Sequence, residues 1–294
     1  MTAKAVHALG TYQPNRISKE KMLGYTKSSL IYLFLLVGGV TMLIPFYWAL
    51  ITSFMTASET SKFPIVWIPT KLTLQWILQA LNTSFIRYYI NSISVAAVVV
   101  ISVVITSALG GYIFAKYTFP FRNFLFLMVL ATMMVPFTVT LIPTYIIVSV
   151  WFHLQDTLAA MIVPALVSAF GIFLMRQFTQ TIPDELLDAA RMDGASEFRI
   201  FWQIVLPLCK PALSANAIFT FIGIWNDYLW PVLVTDTDRS RTLPVGVSLF
   251  AQVRWSQTNL VVAASLLVLI PMVVFYFIFQ RSFVQGVVLT GLKY

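Results

Sequence analysis

Long apolar runs dominate the pattern of hydrophobic and polar positions along this chain. Six runs carry no charged residue or almost none, and they cover residues 30–54, 89–115, 123–150, 157–175, 211–235 and 259–280. A helix needs about 20 residues to cross the hydrocarbon core of a bilayer, and each run is close to that length or longer. The pattern therefore predicts an all-α integral membrane protein with six transmembrane helices and no separate soluble domain. The first run is too long for a signal-peptide core, which predicts a retained signal anchor.

One charged stretch, Thr181–Pro211, lies between the fourth and fifth runs and has the features of a helix start. Thr181 and Asp184 stand at the spacing of a capping box. Pro183 occupies a position where a helix has a spare N–H group, and acidic residues follow it in the first turn. These features predict a helix that begins near residue 184.

The same stretch also contains the signals of a turn and a second helix. Gly194 adopts a positive φ without strain, which is a common way for a helix to end. Ser196 is a good N-cap for a helix that begins at Glu197. The residues after it place large apolar side chains at helical spacing on one predicted face: Phe198, Phe201, Trp202 and Val205. The sequence thus predicts a helix, a tight turn and a helix.

The residues around this turn are small, and one of them carries an unexpected charge. Ala189, Ala190 and Gly194 have little or no side chain, so the backbone here can approach another protein closely. Asp193 puts negative charge in the last turn of a helix, which costs about 0.3–1 kcal/mol unless the N–H groups of the next helix compensate it. The alternative interpretation is a membrane-surface helical hairpin with ordinary caps.

Composition and charge agree with a membrane location. The 294 residues are 59% hydrophobic and 10% charged, with a mean hydropathy of +0.84 and a net charge of +8. On a six-span path thirteen basic residues fall on one side: Lys4, Arg16, Lys19, Lys21, Lys27, Lys116, Arg122, Arg176, Arg191, Arg199, Lys210, Arg281 and Lys293. Six fall on the other: Lys62, Lys71, Arg87, Arg239, Arg241 and Arg254. Because basic residues accumulate inside the cell, both termini and the charged stretch are predicted to be cytoplasmic.

Four residues are candidates for a polar path through the bilayer. Asp227 is the one charge within a run, and burying it near a helix centre costs about 2.5–3.5 kcal/mol. Asn226 and Trp230 are four residues apart, so a continuous helix would present an amide and an indole on one face, suited to a sugar. Asn91 near the start of the second run needs a partner, either a helix or a water-filled path. The equally weighted alternative is that Asp227 pairs with a neighbouring helix.

Other chemistry finds little support in the sequence. A single cysteine, Cys209, with only His7 and His153, excludes an internal disulfide and any recognisable metal cluster. No glycine-rich phosphate loop of the GxxxxGK[ST] kind is present, so the chain is not expected to hydrolyse ATP itself. An intramembrane enzyme would need a nucleophile with its base, and an ion-driven secondary transporter or channel would use several intramembrane charges. The secondary transporter remains the alternative.

The charged stretch resembles a known motif. Asp188-Ala189-Ala190, Asp193-Gly194-Ala195 and Ile204-Val205-Leu206-Pro207 are similar to the EAA loop of the membrane subunits of ABC importers, where that loop docks into a cleft on the ATPase. The family usually has Glu at the position of Asp188. The resemblance implies an ATPase-coupling role for Glu185, Asp188, Ala189, Ala190, Asp193, Gly194, Ala195, Phe198, Ile204, Leu206 and Pro207.

Four further segments, 134–145, 168–178, 225–235 and 283–293, resemble the second permease of carbohydrate-type ABC importers. The resemblance implies a type I importer fold with a transmembrane domain over 86–281, preceded by residues 1–85 and followed by a cytoplasmic tail over 282–294. It also implies a second, different permease, two ATPase subunits that bind ATP and Mg, an extracytoplasmic solute-binding protein and a sugar substrate. No cofactor in this chain and no nucleic-acid partner are expected. The implied location is a bacterial or archaeal cytoplasmic membrane.

Overall fold

The computed structural model of the chain describes the backbone of residues 19–81, 84–253 and 257–291. Side chains are described for residues 27–81, 84–252 and 257–279. Most of the predicted N-terminal tail, together with Arg254 and the last three residues, lies outside these ranges. Residues 52–294 form one compact unit, and residues 1–51 form another.

The described part of the chain is built from helices. In order these are α1 (Lys19–Phe54), α2 (Ala57–Thr60), α3 (Gln75–Leu81), α4 (Phe85–Lys116), α5 (Arg122–Met134), α6 (Phe137–Tyr145), α7 (Leu158–Ile162), α8 (Ala169–Thr179), α9 (Asp184–Met192), α10 (Glu197–Ile200), α11 (Leu206–Leu208), α12 (Lys210–Trp225), α13 (Leu229–Val234), α14 (Leu243–Val253) and α15 (Thr258–Gly291). A π-helical turn, Ile146–Trp151, follows α6, a second, Phe201–Val205, joins α10 to α11, and a 3₁₀ turn, Val163–Ala165, follows α7.

The apolar runs form fewer straight helices than their lengths predict. Within the described residues, four helical segments are long and apolar enough to cross a membrane: Lys27–Phe54 of α1, Phe85–Lys116 (α4), Leu158–Thr179, which combines α7, the 3₁₀ turn and α8, and Thr258–Phe279 of α15. Two further pairs pass the same test only as bent units, Arg122–Met134 with Phe137–Trp151 (94°) and Glu197–Leu208 with Lys210–Trp225 (76°). The number of spans is therefore four, or up to six if each bent pair is one span.

Two predictions about helix continuity need correction. The run 211–235 is not one helix, because α12 ends at Trp225 and α13 begins at Leu229. Residues 282–294 were predicted as a tail that follows the last span, and they contain Gly286 and Gly291, yet α15 continues to Gly291. Adding a residue to an existing helix needs no new nucleation, so an isolated glycine, which costs about 1 kcal/mol, does not stop it.

The unit of residues 52–294 is organised around α4. This helix packs along α8 and α12, and α12 packs along α15. Gly111 on α4 makes the closest approach to α8 possible, because a Cβ placed there would lie 2.5 Å from the Met175 Cβ and 2.7 Å from the Arg176 backbone nitrogen. One end of α4 lies against α9 and α10, and the other end lies against the segment before α14. Helix α4 therefore connects the two polar ends of the unit.

Candidate functional site

The predicted helix, turn and helix are present as α9 to α11, and residues 184–208 are called the elbow below. Helix α9 begins at Asp184 with Pro183 as its N-cap. The predicted capping box at Thr181 is wrong, because the Thr181 hydroxyl donates instead to the Phe178 carbonyl at 2.7 Å. The fixed φ of Pro183 sets the start of the helix, and Asp184 and Glu185 place negative charge in its first turn.

The turn between the helices is a Schellman motif. The Ala195 N–H donates to the Ala190 carbonyl and the Gly194 N–H donates to the Arg191 carbonyl, each at 3.0 Å. Gly194 has φ +79°, as its position in this motif requires. The motif explains Ala190, whose methyl group is buried beside the partly buried Ala195 in an apolar cluster instead of facing a partner. No hydrogen bond to the Asp193 carboxylate is found within the described residues.

The second helix of the elbow divides its apolar residues between two directions. Ser196 caps it as predicted, with its hydroxyl accepting from the Arg199 N–H at 3.3 Å. Phe201 and Val205 are buried, whereas Phe198 and Trp202 are exposed with their ring centroids 5.9 Å apart. The expectation of a single apolar face was therefore wrong. Phe201 and Val205 pack against the core of the unit, and Phe198 and Trp202 remain on its surface.

A network of polar contacts braces the elbow against the end of α4. Lys116 Nζ lies 2.7 Å from Asp184 Oδ1 and also donates to the Ile182 carbonyl. Glu197 accepts from Arg191 Nε at 2.7 Å, from the Tyr112 hydroxyl at 3.2 Å and from the Tyr117 hydroxyl. Both helices of the elbow are thus bonded to the C-terminal end of α4. A movement of the elbow therefore displaces that end of α4 as well.

The brace depends on an ionised Glu197. The hydrogen bond from Arg191, followed by that from Tyr117, lowers the pKa of Glu197 from 4.5 to about 2. A lowered folded-state pKa contributes stability above pH 4.5, and that contribution is lost as the pH falls through about 2. Because the side chain is 46% exposed, solvent screening limits the ion pair to about 1 kcal/mol or less. Glu197 is therefore ionised, and its ion pair with Arg191 is present, across the physiological pH range.

The outer surface of the elbow is apolar at its tip. Met192 is 87% exposed and Phe198 is 73% exposed, on either side of the Gly194 turn. Seven residues predicted to couple to an ATPase are exposed: Glu185, Asp188, Ala189, Asp193, Gly194, Phe198 and Pro207. Ala195, Ile204 and Leu206 are partly buried and pack on the inner cluster, and Ala190 is buried. Leu186 and Met192, which the sequence prediction did not include, are also exposed, and so is Trp202.

The predicted polar path coincides with a break in a helix. Asp227 lies between α12 and α13, where its carboxylate accepts from the Trp230 N–H at 3.4 Å. Asn226 ends α12, and its amide donates back to the Ile222 carbonyl at 2.9 Å. The expected shared face of Asn226 and Trp230 is therefore wrong, since no continuous helix joins them. Irregular backbone at membrane depth is tolerated where protein buries it or where it lines a water-filled cavity.

Asn91 and Trp230 are engaged inside the protein. The buried Asn91 amide donates to the Arg239 and Arg241 carbonyls, each at 2.9 Å. The Trp230 indole is buried and donates to the Ala160 carbonyl at 3.1 Å. Around the break, Asn226 and Tyr228 are exposed and Asp227 is half-buried. Tyr228 was not among the predicted path residues, and its position directly after Asp227 is the signal that would have identified it.

A sequence-family match decides the identity of the chain. Residues 107–288 match the family described as the binding-protein-dependent transport system inner membrane component, and they make up more than half of the chain. The chain belongs to this permease family. The matched region contains the elbow, the C-terminal part of α4 and the break at Asp227.

Curated relatives of this permease are of similar length. It is 32% identical over 248 residues to the arabinooligosaccharides transport system permease protein AraQ of Halalkalibacterium halodurans, covering 83% of this chain and 88% of that one. It is 36% identical over 266 residues to the sn-glycerol-3-phosphate transport system permease protein UgpE of Yersinia pestis, covering 87% and 94%. The match spans nearly the whole length of each relative.

Solved structures share the fold of this permease. A bacterial ABC transporter involved in the import of the acidic polysaccharide alginate aligns over 92% of this chain and all of that chain, with a TM-score of 0.77 and 23% identity. The alginate transporter in complex with an alginate pentasaccharide-bound periplasmic protein aligns over 89% of this chain with a TM-score of 0.61 and 14% identity. At these identities the likeness establishes the fold.

The end of this permease opposite the elbow carries a loop between α13 and α14, residues 235–242, which is called the pinned loop below because hydrogen bonds hold it in place. Asp156 accepts from the Asp236 N–H at 2.9 Å, the Thr237 N–H at 3.0 Å, the Thr237 hydroxyl at 2.7 Å and the Ser240 hydroxyl. Burial alone would raise the pKa of Asp156, but these hydrogen bonds outweigh it and lower the pKa below its usual range. Together with Asn91, Asp156 fixes the loop before α14 in one conformation.

Proposed function

We propose that this permease is a membrane-spanning subunit of an ATP-driven ABC importer for a sugar, and that the elbow is its docking element for the ATPase. The observation that carries the proposal is the apolar tip at Met192 and Phe198, mounted on a turn that is braced to α4. Such a tip is unfavourable in water and is well suited to a protein cleft. The braced mounting suits an element that transmits force.

The proposed topology has six spans with both termini in the cytoplasm. Its support is the distribution of basic residues, thirteen of 19 falling on the side of the elbow. In this arrangement the elbow meets an ATPase and the pinned loop held by Asp156 faces outward. The proposed assembly contains a second, different permease, two ATPase subunits that bind ATP and Mg, and an extracytoplasmic solute-binding protein. The permease itself needs no cofactor and lies in a bacterial or archaeal cytoplasmic membrane.

The proposed mechanism is alternating access. When ATP brings the two ATPase subunits together, each carries its docked elbow with it. Because Lys116, Tyr112 and Tyr117 join the elbow to α4, the movement passes into the span bundle. The bundle then opens outward, and the binding protein releases its sugar into the path.

The proposed substrate is a neutral oligosaccharide, with a glycerol phosphate as the weaker candidate. The relatives named above carry arabinooligosaccharides and sn-glycerol-3-phosphate. The helix break presents Asn226, Asp227 and Tyr228, whose amide, carboxyl and phenol groups form hydrogen bonds with hydroxyls. A carboxylate repels a phosphate, so Asp227 favours the neutral sugar.

Cysteine cross-linking tests the docking proposal. In a Cys209→Ala background, Met192→Cys is expected to cross-link to the ATPase subunit of the importer in membranes, because Met192 stands out from the tip. The matched control is Arg239→Cys, an exposed residue at the opposite end of the unit. Mass spectrometry identifies the captured chain. Equal capture of the ATPase by both variants, or none by Met192→Cys at normal abundance, contradicts the proposal.

A second prediction concerns the brace. Glu197→Gln removes the ion pair with Arg191 but keeps acceptors for the two tyrosines, so we expect roughly a few-fold loss of uptake per ATP hydrolysed. Glu197→Ala removes all of these contacts and should lower the coupling ratio further. Arg199→Gln, a neighbour whose Nε donates to Gln203, is the control and should leave the ratio unchanged. If the ratio of uptake to ATP hydrolysis is the same in all three variants, the brace has no role in coupling.

A further inference from the structure

An apolar segment without helical structure lies between α1 and α3. Residues 61–74 are called the strap below, and none of them belongs to a helix. Phe63 is 95% exposed, Ile68 is 77% exposed and Leu72 is 76% exposed. Three more large apolar residues of the strap are at least half exposed: Ile65, Trp67 and Leu74. A monomeric protein does not keep so large an apolar surface in water, so something covers the strap.

The strap is fixed in position by its two ends. Glu59, which is buried, accepts from the Thr70 N–H at 2.9 Å and from the Thr70 hydroxyl, and closes the strap into a loop. These hydrogen bonds lower the pKa of Glu59 to about 2, so the loop stays closed at physiological pH. The Thr73 N–H donates to the Phe54 carbonyl at 2.8 Å. The apolar surface is therefore a defined feature of the fold.

The base of the strap is attached to two helices long enough to span the membrane. Asn259, at the start of α15, donates to the Thr52 carbonyl at 2.9 Å, the Met55 carbonyl at 3.1 Å and the Thr60 hydroxyl at 2.7 Å. Thr52 belongs to the last turn of α1. The strap thus begins where the ends of two long apolar helices are hydrogen-bonded to each other.

The backbone of the strap sets its depth. Irregular backbone exposed to lipid does not enter the hydrocarbon core, because its N–H and C=O groups would lack partners there. At the headgroup level water is available, and Pro64 and Pro69 reduce the number of N–H groups that need it. Apolar side chains on such a backbone reach down into the acyl boundary, which is also the preferred depth of a tryptophan such as Trp67.

The charges of the strap fit the same location. Lys62 and Lys71 are exposed and stand at either end of the apolar residues. Lysines at a membrane surface place their ammonium groups among lipid phosphates while their stems stay with apolar surface. A docking site for a soluble protein would leave the six apolar side chains in water whenever that protein is absent, whereas lipid covers them permanently.

We propose that the strap is a lipid-binding element that lies in the membrane interface at the end opposite the elbow, with Phe63, Ile68 and Leu72 inserted among the acyl chains and Lys62 and Lys71 at the phosphates. It holds the ends of α1 and α15 at a constant depth. This role is independent of the proposed coupling function, because it requires only that the chain spans a membrane.

Fluorescence quenching tests the strap in the assembled importer. Single cysteines at Phe63, Ile68 or Leu72 in the Cys209→Ala background are labelled with an environment-sensitive dye and reconstituted in vesicles that contain phosphatidylglycerol. A lipid with a nitroxide near the top of its acyl chain should quench these labels roughly twofold or more above the Arg239→Cys control. Iodide in the water should quench the control more strongly.

Two results overturn the proposal. One is nitroxide quenching of the strap labels no stronger than that of the Arg239→Cys label. The other is a strap label that iodide reaches freely until the solute-binding protein is added, which identifies a protein partner instead. A charge test adds a second readout: Lys62→Glu with Lys71→Glu should reduce the nitroxide quenching more strongly in vesicles with phosphatidylglycerol than in vesicles of zwitterionic phosphatidylcholine. No change in either lipid excludes the phosphate contacts.

Discussion

Replacing Gly194 with glutamate is expected to abolish ATP-driven uptake while the permease stays in the membrane at its normal abundance. Gly194 has φ +79°, and a side chain in this left-handed conformation costs about 1–2 kcal/mol. The strain is local to an exposed turn, since a Cβ at this position has no atom of the chain within 4 Å. The larger effect is expected from the partner, because a carboxylate then projects from a turn that must approach the ATPase closely.

Gly194→Asn separates the two effects. Asparagine tolerates the left-handed conformation better than most residues, and it adds a smaller, uncharged side chain. We expect Gly194→Asn to retain part of the uptake and Gly194→Glu to retain almost none, measured with radiolabelled sugar in membrane vesicles. Normal uptake by Gly194→Glu at normal abundance would mean that the turn does not enter a cleft.

The second large effect is expected at Gly111, in the contact between α4 and α8. A Cβ at Gly111 would lie 2.5 Å from the Met175 Cβ, 2.7 Å from the Arg176 backbone nitrogen and 2.8 Å from the Met175 carbonyl carbon. Two of these atoms are backbone, so α8 itself must move. Overpacking of this kind costs about 1–3 kcal/mol, and more where the backbone cannot shift. Gly111→Ala should therefore lower the yield of folded protein.

The adjacent glycine provides a matched control. A Cβ at Gly110 would meet only the side chain of Ile172, with the nearest atom at 3.2 Å, and that side chain can adjust. Gly110→Ala should therefore extract and migrate like the original protein in size-exclusion chromatography. Gly111→Ala should aggregate or melt at a temperature lower by several degrees. Equal thermal stability of the two variants would show that the helices separate at little cost.

The Gly194 and Gly111 substitutions both act on α4, the helix that joins the two ends of this unit. Its C-terminal end holds the elbow through Lys116 and Tyr112, and its N-terminal end holds the pinned loop through Asn91. Gly111 brings α8 against the C-terminal part of α4, next to Tyr112. A displacement at one end of α4 is therefore transmitted to the other end, because the two ends belong to one continuous, closely packed helix.

The elbow shows which structural features can be predicted from the local sequence. Gly194 with a positive φ and Ser196 as a cap follow directly from residue chemistry, and both are present. Thr181 has the right spacing for a cap, but Pro183 determines the start of α9. The burial of Ala190 depends on which side of α9 the rest of the unit lies, and the small-residue pattern does not contain that information.

The helix break at Asp227 is a feature that the local sequence does not predict. Residues 211–235 have the length and composition of one continuous span, so the sequence predicts a single helix. The structure ends α12 at Trp225, whose indole donates to the Val268 carbonyl at 3.2 Å, and starts α13 with the Asp227 carboxylate near its first turn. The break is stabilised by contacts with distant residues, and for this reason it does not follow from local propensity.

The sequence by itself determined that this protein is a helical membrane permease with an elbow between two apolar runs, because apolar length, caps and glycine conformation are local properties. Only the tertiary structure decided which elbow residues face outward, how Glu197 and Lys116 brace it, where the spans bend and how the strap is held. These depend on contacts between residues far apart in the chain, such as Tyr112 with Glu197 and Asn259 with Thr52. A one-dimensional pattern of apolar and polar positions does not specify such pairs.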